Sequence, residues 1–167
     1  LIAPIAVIAP TYGARPQDGA TRFVVWAPKA RELSVRVHTG SAAGEHPLAR
    51  GEHGVFSATV PGVRPGDDYA YRLDGGPERP DPASQWQPHG VHGASRVVDQ
   101  DAFEWSDHAW KGIEMADYVI YELHVGTFTP EGTFDAVIPR LASLRELGIS
   151  AIELMPVAQF PGERNWG

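Results

Sequence analysis

Glu122 and Glu153 are the first residues in this chain whose type and placement suggest chemistry. Each sits inside a short apolar run, Val119-Ile-Tyr-Glu-Leu-His-Val125 and Gly148-Ile-Ser-Ala-Ile-Glu-Leu-Met-Pro156. Two carboxyl groups facing one another are what hydrolysis of a glycosidic bond requires. The bland alternative is that both are structural carboxylates, paired with solvent or basic groups. His124 stands at the end of the first run, next to a Gly/Thr/Pro loop, where it is expected either to support that loop or to touch a ligand. Asn165 and Trp166 follow the second run, and an indole there is suited to stacking on the apolar face of a sugar ring. His89 and His92 flank Gly90, but two histidines without a neighbouring carboxylate or thiolate are a poor metal set, and no metal or cofactor is expected.

The elements that must hold these residues read as strand, helix, strand. Ile138, Leu141, Leu144 and Leu147 recur at helical spacing and predict a helix across residues 134–147, ended by Gly148. Pro139 interrupts it, so the regular helix either starts near Ile138 or kinks there. The run from Ile149 to Met155 is almost continuously apolar, as in a strand covered on both faces. The unit matches the opening of a parallel (β/α)8 barrel, which takes about 250 residues to close.

Residues 1–99 read differently. Glu32-Leu-Ser-Val-Arg-Val-His38 alternates polar and apolar, placing Leu33, Val35 and Val37 on one buried face. Thr21–Trp26, Val55–Val60 and Asp68–Leu73 repeat the strand signature between turns rich in Gly, Pro and Asp. The fold class is therefore mainly β: an immunoglobulin-like β-sandwich over 1–99, a connector over 100–117 pinned by Phe103, Trp105 and Trp110, and the first β-α-β unit of a truncated TIM barrel over 118–167. Residues 75–95 are expected to be an irregular loop anchored by Trp86 and Val91, with Val97-Val98 as a further strand. Trp26, Tyr69 and Tyr71 offer a sugar-binding platform on the sandwich if they are not core.

Composition narrows the partners. The 167 residues carry a formal charge of −7 with their 14 basic groups scattered, which argues against nucleic acid and against an anionic membrane surface. No apolar run is long enough to span a bilayer, and the opening Leu1–Pro10 lacks the basic start of a signal peptide. With no Cys there is no thiolate chemistry, in keeping with a reducing, cytoplasmic setting.

Four segments together resemble the α-amylase superfamily of glycoside hydrolases and transglycosidases. Arg22-Phe-Val-Val-Trp-Ala-Pro28 and Gly66-Asp-Asp-Tyr-Ala-Tyr-Arg-Leu-Asp-Gly75 are similar to its amino-terminal β-module; Ile120-Tyr-Glu-Leu-His-Val-Gly126 and Leu147-Gly-Ile-Ser-Ala-Ile-Glu-Leu-Met-Pro-Val157 are similar to its first two barrel strands. Within the superfamily the trehalohydrolases are the closer resemblance. It is carried by Arg79–Gly93, Val125–Phe134 and Phe160–Gly167. Branching enzymes are the nearest alternative, and a non-catalytic α-glucan-binding module is a third. The resemblance implies a retaining hydrolase that acts on maltooligosyltrehalose and releases trehalose. It also implies catalytic carboxylates on later strands, beyond residue 167, so that neither Glu122 nor Glu153 is catalytic and the piece itself is inactive. Substrate contact is then left to Asn165, Trp166 and His124. A single β-α-β unit leaves sheet faces bare, and these are expected to pack on the sandwich or to be covered by another chain, such as another copy of this one, or by the remainder of a longer one.

Overall fold

The computed structural model describes residues 11–162. It divides into two compact units, the first comprising residues 11–103 together with 159–162 and the second Glu104–Ala158.

The first unit is a two-layer sandwich of short antiparallel strands. In chain order these are β1 (Gly13–Gln17), β2 (Ala20–Trp26), β3 (Leu33–Val37), β4 (Gly44–Pro47), β5 (Ala49–Arg50), β6 (Val55–Pro61), β7 (Asp68–Leu73), β8 (Glu78–Arg79) and β9 (Ser95–Arg96). One sheet has the order β1-β2-β6-β5; the other has the order β4-β3-β7-β8, with β9 also paired to β7. The alternation read from the sequence is what builds the core. Leu33, Val35 and Val37 are all buried, and so are Phe23 and Val25 of β2, Phe56 and Val60 of β6, and Tyr69 and Tyr71 of β7. Phe23 meets Tyr69 edge-on at 5.0 Å between ring centres, and Tyr69 meets Tyr71 at 5.9 Å, so the aromatics join the two sheets in a chain of T-shaped contacts. Thr21, the one hydroxyl in the buried face of β2, donates to the Val63 carbonyl at 2.9 Å and so leaves no unpaired polar atom. Gly54 shows why the chain needs a glycine at one turn. Its φ is +77°, and a Cβ there would lie 2.4 Å from Pro28 Cα.

Several strands lacked an alternating signature. β1 contains Gly13 and Pro16, and β5, β8 and β9 are two residues each. The extra strand expected at Val97-Val98 lies instead at Ser95–Arg96, because Asp68 and Tyr69 pair with Arg96 and Ser95. Trp86 is not a buried anchor; half its surface is exposed. The connector aromatics are not buried pins either: Phe103, Trp105 and Trp110 are 63%, 64% and 66% exposed.

The second unit holds two parallel strands, β10 (Ile120–Leu123) and β11 (Ala151–Leu154), joined by α1 (Val125–Phe128), α2 (Phe134–Val137) and α3 (Leu141–Glu146). Thr133 caps α2, its hydroxyl accepting from the Ala136 N–H at 3.3 Å. Of the two readings of Pro139, the interrupted helix is the one observed. Pro139 lies in a 3₁₀ turn, Ile138–Arg140, between α2 and α3, since proline cannot donate the bond that would keep the helix regular. Gly148 closes α3 with φ +98°, its N–H and that of Ile149 bonding back to Arg145 and Leu144 at 3.0 Å. The apolar helix stripe is not a buried face. Ile138 and Leu147 are 61% and 74% exposed, and Ile152 and Leu154 of β11 are exposed too, against the expectation of a strand covered on both sides. A two-stranded sheet has one free edge per strand and too little partner surface to cover these side chains.

Phe23→Ala is expected to lower the unfolding free energy of the sandwich by about 3–5 kcal/mol, because it removes the fully buried ring through which one sheet meets Tyr69 of the other. Urea unfolding followed by tyrosine and tryptophan fluorescence measures this, and a loss below about 1 kcal/mol would mean that Phe23 does not hold the two layers together.

Candidate functional site

Two places in the chain have the makings of a site, one in each unit. In the sandwich the long segment between β7 and β9 is fastened to β7 on both faces. On the inner face, Asp81 is 3% exposed. Its carboxylate accepts from the Tyr69 hydroxyl and from the Ala83 N–H, each at 2.8 Å. Its N–H donates to the Ser95 hydroxyl at 3.0 Å. On the outer face, Asp68 accepts from Arg96 Nε at 2.6 Å and from its terminal nitrogen at 3.0 Å, a two-point carboxylate-guanidinium pair. His89 Nε2 lies 3.3 Å from the second Asp68 oxygen. The Arg96 guanidinium is also stacked 4.9 Å from the centre of the Trp86 ring. The Trp86 carbonyl in turn accepts from the Arg96 N–H at 2.8 Å and from the Ser84 hydroxyl at 3.1 Å.

These two carboxylates titrate in opposite directions. The hydrogen bonds from Arg96 hold Asp68 below its ordinary value, outweighing a desolvation effect of opposite sign. Burial pushes Asp81 up, partly opposed by the Ala83 N–H and the Tyr69 hydroxyl, while burial beside Asp81 keeps Tyr69 protonated at any ordinary pH.

In the second unit, β10 and β11 run in register, with Glu122 opposite Glu153 and Leu123 opposite Leu154. The two glutamates therefore share one face of the sheet, their backbones about 5 Å apart by the spacing of neighbouring strands. Both are exposed. His124 is the N-cap of α1, its carbonyl accepting from the Phe128 N–H at 2.9 Å. Its Nδ1 is buried without a hydrogen-bond partner among the described residues. The imidazole lies so close that a Cβ on Gly126 would sit 3.0 Å from its Cε1.

Comparison with known proteins shows what the chain is similar to. Residues 11–86 match carbohydrate-binding module 48, the isoamylase N-terminal domain. A malto-oligosyltrehalose trehalohydrolase of Saccharolobus solfataricus is 46% identical over 94% of this chain and 27% of its own length. One from Deinococcus radiodurans is 46% identical over 93% of this chain and 25% of its own length. The chain is a homologue of malto-oligosyltrehalose trehalohydrolases. It spans about a quarter of the length of these relatives. A solved structure assigned as an alpha amylase of Salmonella typhimurium superposes with a TM-score of 0.84 at 42% identity, covering 94% of this chain and 26% of that one.

The described residues singled out from sequence fall in both units. Asn165 and Trp166 lie outside the described residues. His124 lies between β10 and α1, and Glu122 and Glu153 face the same side of the short sheet. The proposed platform of Trp26, Tyr69 and Tyr71 does not exist. Tyr69 and Tyr71 are each 1% exposed and form the core, while Trp26 is on the surface with its indole N–H donating to the His53 carbonyl at 3.0 Å. The odd positions of β7 point inward, and two tyrosines there are core by geometry. His89 is bound to Asp68 and not paired with His92, and among the described residues no group of three metal-ligating side chains converges. Sequence reasoning missed Asp81, Ser95, Asp68 and Arg96. A run Asp-Pro-Ala-Ser at 81–84 carries the signal for a local turn, but nothing local reveals that Tyr69 completes the set. It also missed Ser150, whose hydroxyl donates to the Asp117 carbonyl at 2.9 Å and accepts from the Val119 N–H at 2.8 Å, tying the starts of both parallel strands together.

The pH dependence carries two signs. The stability supplied by Asp68 is present above the ordinary aspartate value and is lost as pH falls through its lowered folded value. The contribution of Asp81 is present below the ordinary value and is lost as pH rises through its raised folded value. Urea unfolding from about pH 3 to about pH 7 is therefore expected to show a flatter acid limb for Asp68→Asn and a shallower decline above about pH 4 for Asp81→Asn. Identical pH profiles for both variants would contradict the assignment.

Proposed function

We propose that the chain is the amino-terminal part of a retaining α-glucan hydrolase that cleaves the α-1,4 bond next to the terminal trehalose of maltooligosyltrehalose and releases trehalose. The observation that carries this reading is the 46% identity to trehalohydrolases over 94% of the chain, which spans the sandwich and the second unit alike. In this reading β10, the helical crossover and β11 open a (β/α)8 barrel. The crossover from one parallel strand to the next through helices is the repeating step of that architecture. The carboxyl ends of β10 and β11, where His124 and Met155 follow the strands, then belong to the rim where barrel enzymes bind substrate.

Glu122 and Glu153 have no catalytic task in this reading. A retaining pair needs one carboxylic acid and one carboxylate about 5–5.5 Å apart. Glu122 and Glu153 instead lie side by side on one exposed sheet face, open to solvent. The catalytic carboxylates are assigned to the part of the relatives that this chain does not span. The sandwich supplies α-glucan binding, consistent with the family its residues 11–86 match.

Incubated with maltooligosyltrehalose, the 167-residue polypeptide is expected to release no trehalose. A chimera in which it replaces the corresponding quarter of the Saccharolobus solfataricus trehalohydrolase is expected to release trehalose without creating α-1,6 branches. Trehalose from the polypeptide alone, or new branches from the chimera, would overturn the reading.

A further inference from the structure

The sandwich carries two large exposed indoles, Trp26 at 59% and Trp86 at 50%. They are held differently. Trp26 is fixed through its ring N–H, by the His53 carbonyl. Trp86 is fixed through its backbone and one ring face. Its carbonyl takes the hydrogen bonds from Arg96 and Ser84, and the Arg96 guanidinium lies 4.9 Å from the ring centre. A ring supported from one face by a planar guanidinium has its remaining exposed surface already oriented, so little side-chain entropy is lost when a ligand stacks on it. The charge beneath it is neutralised, because the same guanidinium is bound at two points by Asp68.

The ion pair has a second guest. His89 reaches the other Asp68 oxygen at 3.3 Å, and 62% of its side chain remains exposed. One buried carboxylate therefore fixes an exposed aromatic face through Arg96 and an exposed imidazole directly. A pyranose ring asks for that combination: its C–H face stacks on an aromatic ring while hydroxyls at its rim take hydrogen bonds from polar side chains. A neutral ligand also suits a chain of formal charge −7 whose local cation is already paired.

We propose that Trp86 and His89, set on the Asp68–Arg96 pair, form a binding site for a glucose ring of an α-glucan chain, with Trp86 as the stacking platform and His89 as the hydrogen-bonding group. The proposal rests on the reading of the sandwich as an α-glucan-binding module and gives that reading an address. It separates Trp86 from Trp26, whose ring is fixed by a backbone carbonyl and not by a guanidinium.

Affinity electrophoresis of the full chain in gels containing glycogen tests it. The unsubstituted chain is expected to be retarded, and Trp86→Ala to weaken the dissociation constant about 5- to 10-fold, the loss of one aromatic stacking contact. Trp86→Phe, which keeps a ring, is expected to recover most of the retardation, and His89→Ala to weaken it less than Trp86→Ala does. Thermal unfolding of each variant separates lost binding from lost fold. If the unsubstituted chain and Trp86→Ala are retarded equally, this site is wrong while glucan binding stands, and loss of retardation in Trp26→Ala would place binding there. If the unsubstituted chain migrates as in a glycogen-free gel, both this site and the glucan-binding reading of the sandwich fall.

Discussion

Everything distinctive about the sandwich depends on how strand β7 is held. A segment of more than twenty residues rich in Pro, Gly, Asp and His leaves β7 and returns to it briefly as β8 and again as β9, and such a segment has too little apolar surface to pack by itself. It is fixed by two carboxylates on opposite faces of one strand. Asp81 enters the core and takes the Tyr69 hydroxyl, and Asp68 stays on the outer face and takes Arg96. The register Asp68↔Arg96 and Tyr69↔Ser95 makes both bonds at once, because neighbouring residues of a strand point to opposite faces. Burying the Asp81 carboxylate is costly unless its lone pairs are filled, and the Ala83 N–H and Tyr69 hydroxyl fill them.

That constraint links core to surface. Tyr69 is in edge contact with Phe23 of the facing sheet, so the hydroxyl that takes hold of the loop belongs to the same ring that joins the two layers. The outer pair positions side chains that face solvent, Trp86 and His89. Packing, polar satisfaction and the candidate sugar-contacting surface thus share a few residues within one strand pair. The second unit lacks any such closure. Its apolar helix stripe and much of β11 face solvent, and its buried side chains are few, Leu123 and Val137 among them.

Much of the sandwich was legible in the sequence and little of its site was. Period-two alternation in Leu33–Val37 announced both the strand and its buried face, because strand geometry forces that pattern on any sheet with one side in the core. Gly148 and Pro139 were legible for the same kind of reason: each permits or forbids a particular backbone bond. Asp81 was not, since its partners lie 12 and 14 residues away and meet it only after β7 and β9 have paired. Tyr69 and Tyr71 illustrate the converse limit. Their type suits a sugar platform and a core equally, and only the inward parity of β7 decides. In the second unit the helical spacing identified the stripe correctly, but spacing cannot say whether anything lies against it.

The central claim is that the two-carboxylate fastening makes the segment between β7 and β9 as rigid a part of the sandwich as its strands. Amide hydrogen exchange of the full chain tests this most directly. The N–H groups of Asp81, Ala83 and Arg96, bonded to Ser95, to the Asp81 carboxylate and to the Trp86 carbonyl, are expected to exchange as slowly as the N–H groups of β7. Exchange of these three at the rate of solvent-exposed loop amides, while β7 stays protected, would contradict it.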